Sequence, residues 1–277
     1  MSHNRIMVAV IQMQSWGNRE QNLSRAEYLI TEATGQGACL VALPELFNWR
    51  GPNKEVKLYA EPIPGPTIKR LSTIALSQNV YILAGSIMEK SPLGKKAFNT
   101  NVLLSNRGRI IALYRKLHLF QFQLRSGSAV NEASYFLPGD KISSARLPWG
   151  QFGLSICFDL RFPELYRNLA KGDCVGFFVP SAFTHETGAL HWEVLLRARS
   201  IENQAYILAP NQYGINPFGF RDYGHSMIVG PQGEVLCAAS DKENILIAEL
   251  DFTYLKKIRK QLPVLLQVKH AGYPLGS

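Results

Sequence analysis

No stretch of the 277-residue chain approaches the roughly 18 consecutive apolar residues that a membrane-spanning helix requires. The apolar run at 6–11 is short, lacks a small-residue cleavage site and reads as a strand, not a leader. Cysteine is scarce. Positions 39, 157, 174 and 237 form no Cys-x-x-Cys pair and no other metal-ligand spacing, which excludes a disulfide framework and predicts reduced thiols in a cytoplasmic protein. His185 and His191 make no HExxH pair, and Gly94-Lys95 has no glycine five positions upstream, so neither a zinc hydrolase nor a P-loop enzyme is expected. Repeats with a period of roughly 20 to 50 residues are absent, which removes solenoids.

The net charge of +9 is scattered, with modest clusters at Lys95-Lys96, at 107–116 and at Lys256-Lys257-Ile258-Arg259-Lys260. No basic stripe is interleaved with stacking aromatics, so a nucleic-acid partner is not expected; the last cluster reads as the solvated face of a helix starting near Asp251. A positive field does suit a small anionic substrate.

What the chain does contain is 46% hydrophobic residues, enough for a large core, and an internal repeat. Gln78-Asn79-Val80-Tyr81-Ile82-Leu83-Ala84 returns as Asn203-Gln204-Ala205-Tyr206-Ile207-Leu208-Ala209, an offset of 125 positions from Ile82 to Ile207. The following strand, turn and strand return as well, with Gly108 and Gly233 in the two turns. Upstream of each copy lies an apolar strand ending at a proline, 38–43 and 173–179, and helical spacing marks 20–34, 67–77, 163–170 and 190–203. Each half reads β-α-β-α-β followed by a hairpin, which predicts an α/β fold of two sheets face to face with helices outside: a four-layer α-β-β-α sandwich with internal duplication. One domain over 1–277 is expected, with 264–277 as a C-terminal arm.

Cys157 closes the apolar run that begins at Gly153 and precedes Phe158-Asp159-Leu160-Arg161-Phe162-Pro163-Glu164, which reads as the first turn of a helix. Free backbone N–H groups and the positive helix end at such a turn favour a thiolate and hold an oxyanion. A lone apolar-flanked cysteine is more often core, so the assignment needs partners. Chemistry in open α/β sheets gathers beyond the carboxyl ends of strands, and Glu45 in Leu43-Pro44-Glu45-Leu46-Phe47 stands at one. Its apolar neighbours predict burial and a carboxyl pKa raised toward that of a general base. Lys116, in Tyr114-Arg115-Lys116-Leu117-His118-Leu119-Phe120, follows another strand, and a buried ammonium there requires carboxylates, with Glu45 and Glu132 as candidates.

These three motifs, in this order, resemble the nitrilase superfamily of carbon-nitrogen hydrolases, with its Glu-Lys-Cys triad. Further matches lie in Thr187-Gly188-Ala189-Leu190-His191-Trp192-Glu193, in Arg197-Ala198-Arg199-Ser200-Ile201-Glu202-Asn203-Gln204 and in Tyr223-Gly224-His225-Ser226, so the resemblance covers nearly the whole chain. It implies Cys157 as nucleophile, Glu45 as general base and acid, Lys116 with the Phe158 N–H as oxyanion holder, Glu132 as an accessory carboxylate, no cofactor or metal, and a homodimer or larger homo-oligomer. The later motifs look closest to the amidase branch containing deaminated-glutathione amidases and omega-amidases, which implies the terminal amide of a small carboxylate-bearing molecule as substrate. N-carbamoyl amidohydrolase and aliphatic nitrilase are the alternatives within the superfamily. Departures from the family pattern fall in the loops 121–131 and 211–222, both expected to face substrate. Phe47, Tyr213 and Arg221 are the candidate substrate contacts.

The same residues admit two rival readings. A cysteine-histidine hydrolase would take His118, His191 or His225 as base, although it has no need of the Glu-Lys pair, and His225 is best read as structural. A catalytically silent binding protein on the same fold would be marked by a broken triad, whereas all three residues are intact. Arg161 is expected to pair with Glu164 or Glu193 as structural support.

Overall fold

A computed structural model of the chain describes residues 4–92, 94–123, 129–215 and 220–270. Its two main sheets repeat one plan. In the first, Arg5–Gln12, Leu40–Ala42 and Tyr81–Leu83 run parallel; in the second, Gly150–Leu154, Cys174–Phe178 and Tyr206–Ala209 do the same. Each parallel trio continues into an antiparallel hairpin, and the register is conserved between copies. Ile82 pairs with Leu104 as Ile207 pairs with Val229, every partner displaced by the same 125 positions. Asn79 and Gln204, at equivalent places after a helix, both adopt left-handed backbone (φ 52° and 46°), as do Gly108 and Gly233 in the two turns. The repeat is therefore a repeat of backbone geometry.

Alternation along the strands defines the layers, because successive side chains point to opposite faces. Val8, Val10, Leu40 and Ala42 join one core with Phe152, Leu154 and Phe178 of the second sheet, while Ala9, Ile11, Val41 and Leu43 pack with the helices Arg19–Gly35 and Pro66–Ser77. On the far side of the second sheet, Leu165, Tyr166 and Leu169 of helix Pro163–Lys171 cover it, together with Trp192 and Leu196 of helix His185–Asn203. Burying each such large side chain is worth roughly 1.5–3 kcal/mol, so the two sheets stay face to face.

Two elements depart from the expectation. Residues Cys157–Arg161, expected as the first turn of a helix, form a 3-10 turn, and the α-helix begins at Pro163, where helical spacing placed it and whose fixed φ suits the first helical position. Strand Asn244–Asp251, not foreseen from the repeat, lies antiparallel to Arg5–Gln12 and brings the C-terminal region onto the first sheet. Asp251 then caps helix Phe252–Gln261 by accepting from the Thr253 and Tyr254 N–H groups, close to where the basic cluster placed a helix. A further helix covers Val264–His270, while 271–277 of the expected arm fall outside the described residues. Among the described residues no helix is long and apolar enough to cross a membrane.

Candidate active site

Glu45 lies just beyond strand Leu40–Ala42, Cys157 just beyond Gly150–Leu154, and Lys116 directly after strand Ile110–Arg115. The backbone turns sharply to present them. Leu46 and Cys157 hold φ values of 53° and 48°, a left-handed conformation uncommon for residues with a side chain. The Cys157 N–H donates to the Pro180 carbonyl at 2.9 Å, and the Leu46 N–H donates to Ser86 Oγ at 3.0 Å. Gly85 permits the Glu45 turn, since a Cβ there would sit 1.9 Å from the Pro44 carbonyl oxygen.

The three side chains converge. Lys116 Nζ lies 2.8 Å from Glu45 Oε1 and 2.9 Å from Glu132 Oε2. Asn99 Nδ2 also donates to Glu45 Oε1 (2.8 Å), the Ala182 N–H donates to Oε2 (2.9 Å), and the nearby Cys157 side chain further favours the ionised form of the same carboxylate. Glu132 Oε2 accepts from the Phe120 N–H at 2.7 Å. Side-chain exposure is 1% for Lys116 and 3% for Glu45, so these charges persist only through one another and their hydrogen bonds.

Burial pushes Glu45 up, but the Lys116 ammonium, together with hydrogen bonds from Lys116, Cys157 and Asn99, outweighs it and holds the carboxyl below its ordinary range. In Glu132 burial wins over Lys116, and the Glu45 charge adds to it, so that carboxyl is raised. Burial lowers Lys116, yet Glu132 and Glu45 hold it well above the ordinary ammonium value. The Cys157 thiol is pushed well up by burial and then by Glu45, with Lys116 and the Ala182 N–H offsetting only part. At rest the site holds an ionised Glu45, an ammonium and a neutral thiol. This corrects both the expected thiolate and the expected raised base: a buried carboxylate beside sulfur outweighs the short turn's N–H groups, and Lys116 reverses the effect of burial on Glu45.

The triad floors a cavity of about 450 Å³ whose walls include Phe120, Glu132, Phe158, Arg161, Phe183 and Thr187. Phe47 is not in it. This ring is fully buried among Leu43, Ile87 and the first sheet's helices, and Leu46, turned inward by its left-handed backbone, lines the cavity instead. Tyr213 likewise faces away, toward Arg25 and Glu243. Arg221 does reach the cavity, exposed and 3.6 Å from Asp241. Both departing loops border it: Val130 lies in the ribbon Gln121–Gln123 with Ala129–Asn131, and Asp222 in the ribbon Tyr213–Ile215 with Arg221–Tyr223, while 124–128 and 216–219 lie outside the described residues. Arg50 lines the same wall, its guanidinium over Trp16 and ion-paired with buried Asp222.

Arg161 also differs from expectation. It pairs with neither Glu164 nor Glu193; Glu193 bonds Arg197. Its guanidinium lines the cavity over Phe158 and Phe183, within 3.1 Å of His191 Nδ1, and no carboxylate among the described residues pairs with it. A basic residue four positions past Cys157, on the same short turn, was the signal available in the sequence. The histidines are occupied elsewhere: His118 with Asp159, His191 with Arg161, and His225 with the Tyr223 carbonyl (2.7 Å). His185 lies edge-on to Tyr223.

The carbon-nitrogen hydrolase family model matches residues 7–260. The chain is 38% identical to the omega-amidase NIT2 of Bos taurus, covering 98% of this chain and 97% of that protein. Against the deaminated glutathione amidase of Rattus norvegicus the identity is 37%, over 93% of this chain and 80% of that protein. Nit3 of Saccharomyces cerevisiae, a solved member of branch 10 of the nitrilase superfamily, superposes with a TM-score of 0.86 at 32% identity, covering 94% of this chain and 95% of its own. The chain belongs to the carbon-nitrogen hydrolase family, in the nitrilase superfamily, and is an enzyme of carbon–nitrogen bond hydrolysis.

Proposed function

We propose that the protein is an amidase that releases ammonia from the terminal amide of a small carboxylate-bearing substrate, through a thioester on Cys157. The observation that carries this reading is the Glu45–Lys116 ion pair lining the same cavity as the Cys157 side chain. Glu45 takes the thiol proton as sulfur attacks the amide carbon. Lys116 has three N–H donors and two are held by Glu45 and Glu132, which leaves one for the developing oxyanion. The Phe158 N–H, in the first turn of the 3-10 segment where no intrahelical acceptor exists, is the second donor. Glu45 then passes its proton to the amide nitrogen as the C–N bond breaks and ammonia leaves. Water attacks the thioester with Glu45 as base, the C–S bond breaks, and sulfur recovers the proton.

Arg161 supports the carboxylate part of the reading, being a half-buried guanidinium on the cavity wall with which no carboxylate among the described residues pairs. The names of the relatives, omega-amidase and deaminated glutathione amidase, support 2-oxo-acid amides or deaminated glutathione as the substrate class. An ammonia-release screen over these, N-carbamoyl amino acids and aliphatic nitriles is expected to give the highest kcat/KM on the first two. Higher values on nitriles or carbamoyl compounds would replace the substrate while keeping the triad. Arg161→Met is expected to raise KM for carboxylate-bearing amides by roughly 10- to 100-fold, the worth of a hydrogen-bonded charge, with neutral primary amides unaffected. Equal effects on both classes would remove Arg161 from recognition.

The four unpaired cysteines support a reducing compartment such as the cytoplasm. Helix His185–Asn203 exposes Leu190, Val194 and Ile201 on its outer side, which supports self-association. Sedimentation is expected to show at least a dimer, and a monomer at micromolar concentration would overturn that part.

A further inference from the structure

Asp159 stands two residues past the nucleophile, is fully buried, and takes part in none of the chemical steps above. Its carboxylate accepts hydrogen bonds from two separate segments. Oδ2 receives the Tyr114 hydroxyl at 2.7 Å and the Ile156 N–H at 2.8 Å; Oδ1 receives the His118 N–H at 3.1 Å and lies 2.7 Å from His118 Nδ1. A ring nitrogen that close to a carboxylate oxygen carries the proton, which fixes the tautomer. Tyr114 and His118 lie two positions before and two after Lys116, and Ile156 immediately precedes Cys157. The Tyr114 oxygen in turn accepts from the Leu117 N–H at 3.3 Å, and the His118 ring lies flat on Phe162, centroids 3.6 Å apart. One carboxylate thus joins the lysine segment of the first half to the nucleophile turn of the second.

We propose that Asp159, acting through His118 and Tyr114, is a positioning residue that sets the Lys116 ammonium against the Cys157 sulfur. The proposal rests on Lys116 and Cys157 being the reacting groups. Lysine is a long side chain on a loop, so its placement depends on what anchors the backbone on either side. Asparagine cannot replace Asp159: whichever way its amide turns, the NH₂ end meets a backbone N–H, that of Ile156 or that of His118. A displacement of about 1 Å at a reacting group costs on the order of 100-fold in rate, so such an anchor is kinetically visible.

His118 is the accessible handle, because its side chain is 31% exposed whereas Asp159 is buried. His118→Ala is expected to lower kcat by about 10- to 100-fold, with KM within about twofold of wild type. His118→Asn, whose amide N–H can donate where Nδ1 did, is expected to restore most of kcat with the wild-type pH–rate profile. Tyr114→Phe keeps the ring and removes one bond, and is expected to lower kcat by several-fold, adding to His118→Ala by less than the product of the two effects. Asp159→Asn is expected to be at least as slow as His118→Ala; if it does not fold, the three other variants decide. A wild-type kcat for His118→Ala, a loss confined to KM, or failure of asparagine to rescue overturns the proposal. If Cys157→Ala or Lys116→Met stays active, the triad reading fails first; a fast His118→Ala beside an inactive Cys157→Ala removes the positioning role alone.

Discussion

Cys157→Ala is expected to release no ammonia above background while melting at the wild-type temperature. Loss of the nucleophile from a residue set that acts as a unit costs on the order of 10⁴- to 10⁶-fold in kcat. The fold tolerates the change because the turn is held by the backbone bond from residue 157 to Pro180, and alanine meets the left-handed φ of 48° no worse than cysteine does. Ammonia assays, melting curves and intact mass under substrate check it, the last expected to lose any acyl adduct. Near wild-type turnover would sink the covalent route. The wild-type pH profile tests the protonation states: with Glu45 held below 4.5 and the thiol raised well above 9.0, kcat/KM should be flat through neutral pH and fall on the acid side only below pH 4.5. A rate climbing from pH 7 to 9 would indicate a free thiolate instead.

Lys116→Met is expected to damage rate and stability together. Removing one oxyanion donor costs about 10²- to 10³-fold in kcat. Removing the cation that bridges Glu45 and Glu132 leaves two buried carboxylates without their ion-pair partner, a loss of about 3–5 kcal/mol. Changes at Lys95 or Lys96 should cost little by comparison. The sign of the pH dependence separates the two effects. In the wild type, Glu45 is depressed when folded, so its contribution is present above its unfolded value and lost as pH falls through the folded one. Without Lys116, burial outweighs the hydrogen bonds that remain from Asn99, Ala182 and Phe120, and both carboxyls rise; their contribution is then present below the unfolded value of about 4.3 and lost as pH climbs. The melting-temperature gap between variant and wild type should therefore narrow as pH is lowered from 7 toward 4.5. A gap independent of pH would mean that Lys116 is not what neutralises the pair.

Some of the site was legible because it is written locally. Glu45, Lys116 and Cys157 each follow an apolar strand, and the 125-residue repeat foretold a hairpin in each half; the register of the two hairpins agrees, Leu104 with Ile110 as Val229 with Val235. Strand Asn244–Asp251 escaped because it belongs to neither copy of the repeat and finds its place only by pairing with Arg5–Gln12. Phe47 and Tyr213 were misassigned for a related reason. Proximity along the chain to Glu45 or to an aromatic loop says nothing about which face a side chain takes, and the left-handed turn at Leu46 sends Leu46 into the cavity and Phe47 into the core.

By itself the sequence determined most of the elements and their duplication, since hydrophobic periodicity is a property of neighbouring residues, and the resemblance of its three motifs to a known family pointed to the proposed reacting groups. Only the tertiary structure decided the charges those groups carry and what surrounds them. Glu45 and Lys116 stand 71 positions apart in the chain and 2.8 Å apart in space. Their mutual field, which reverses the effect of burial on Glu45, exists only once the two sheets have closed on each other. The same closure puts Arg161 on the cavity wall, unpaired with any carboxylate among the described residues, and ties Asp159 to both motifs. Electrostatic energy in a desolvated site depends on distance and burial, and neither can be read from spacing along the chain.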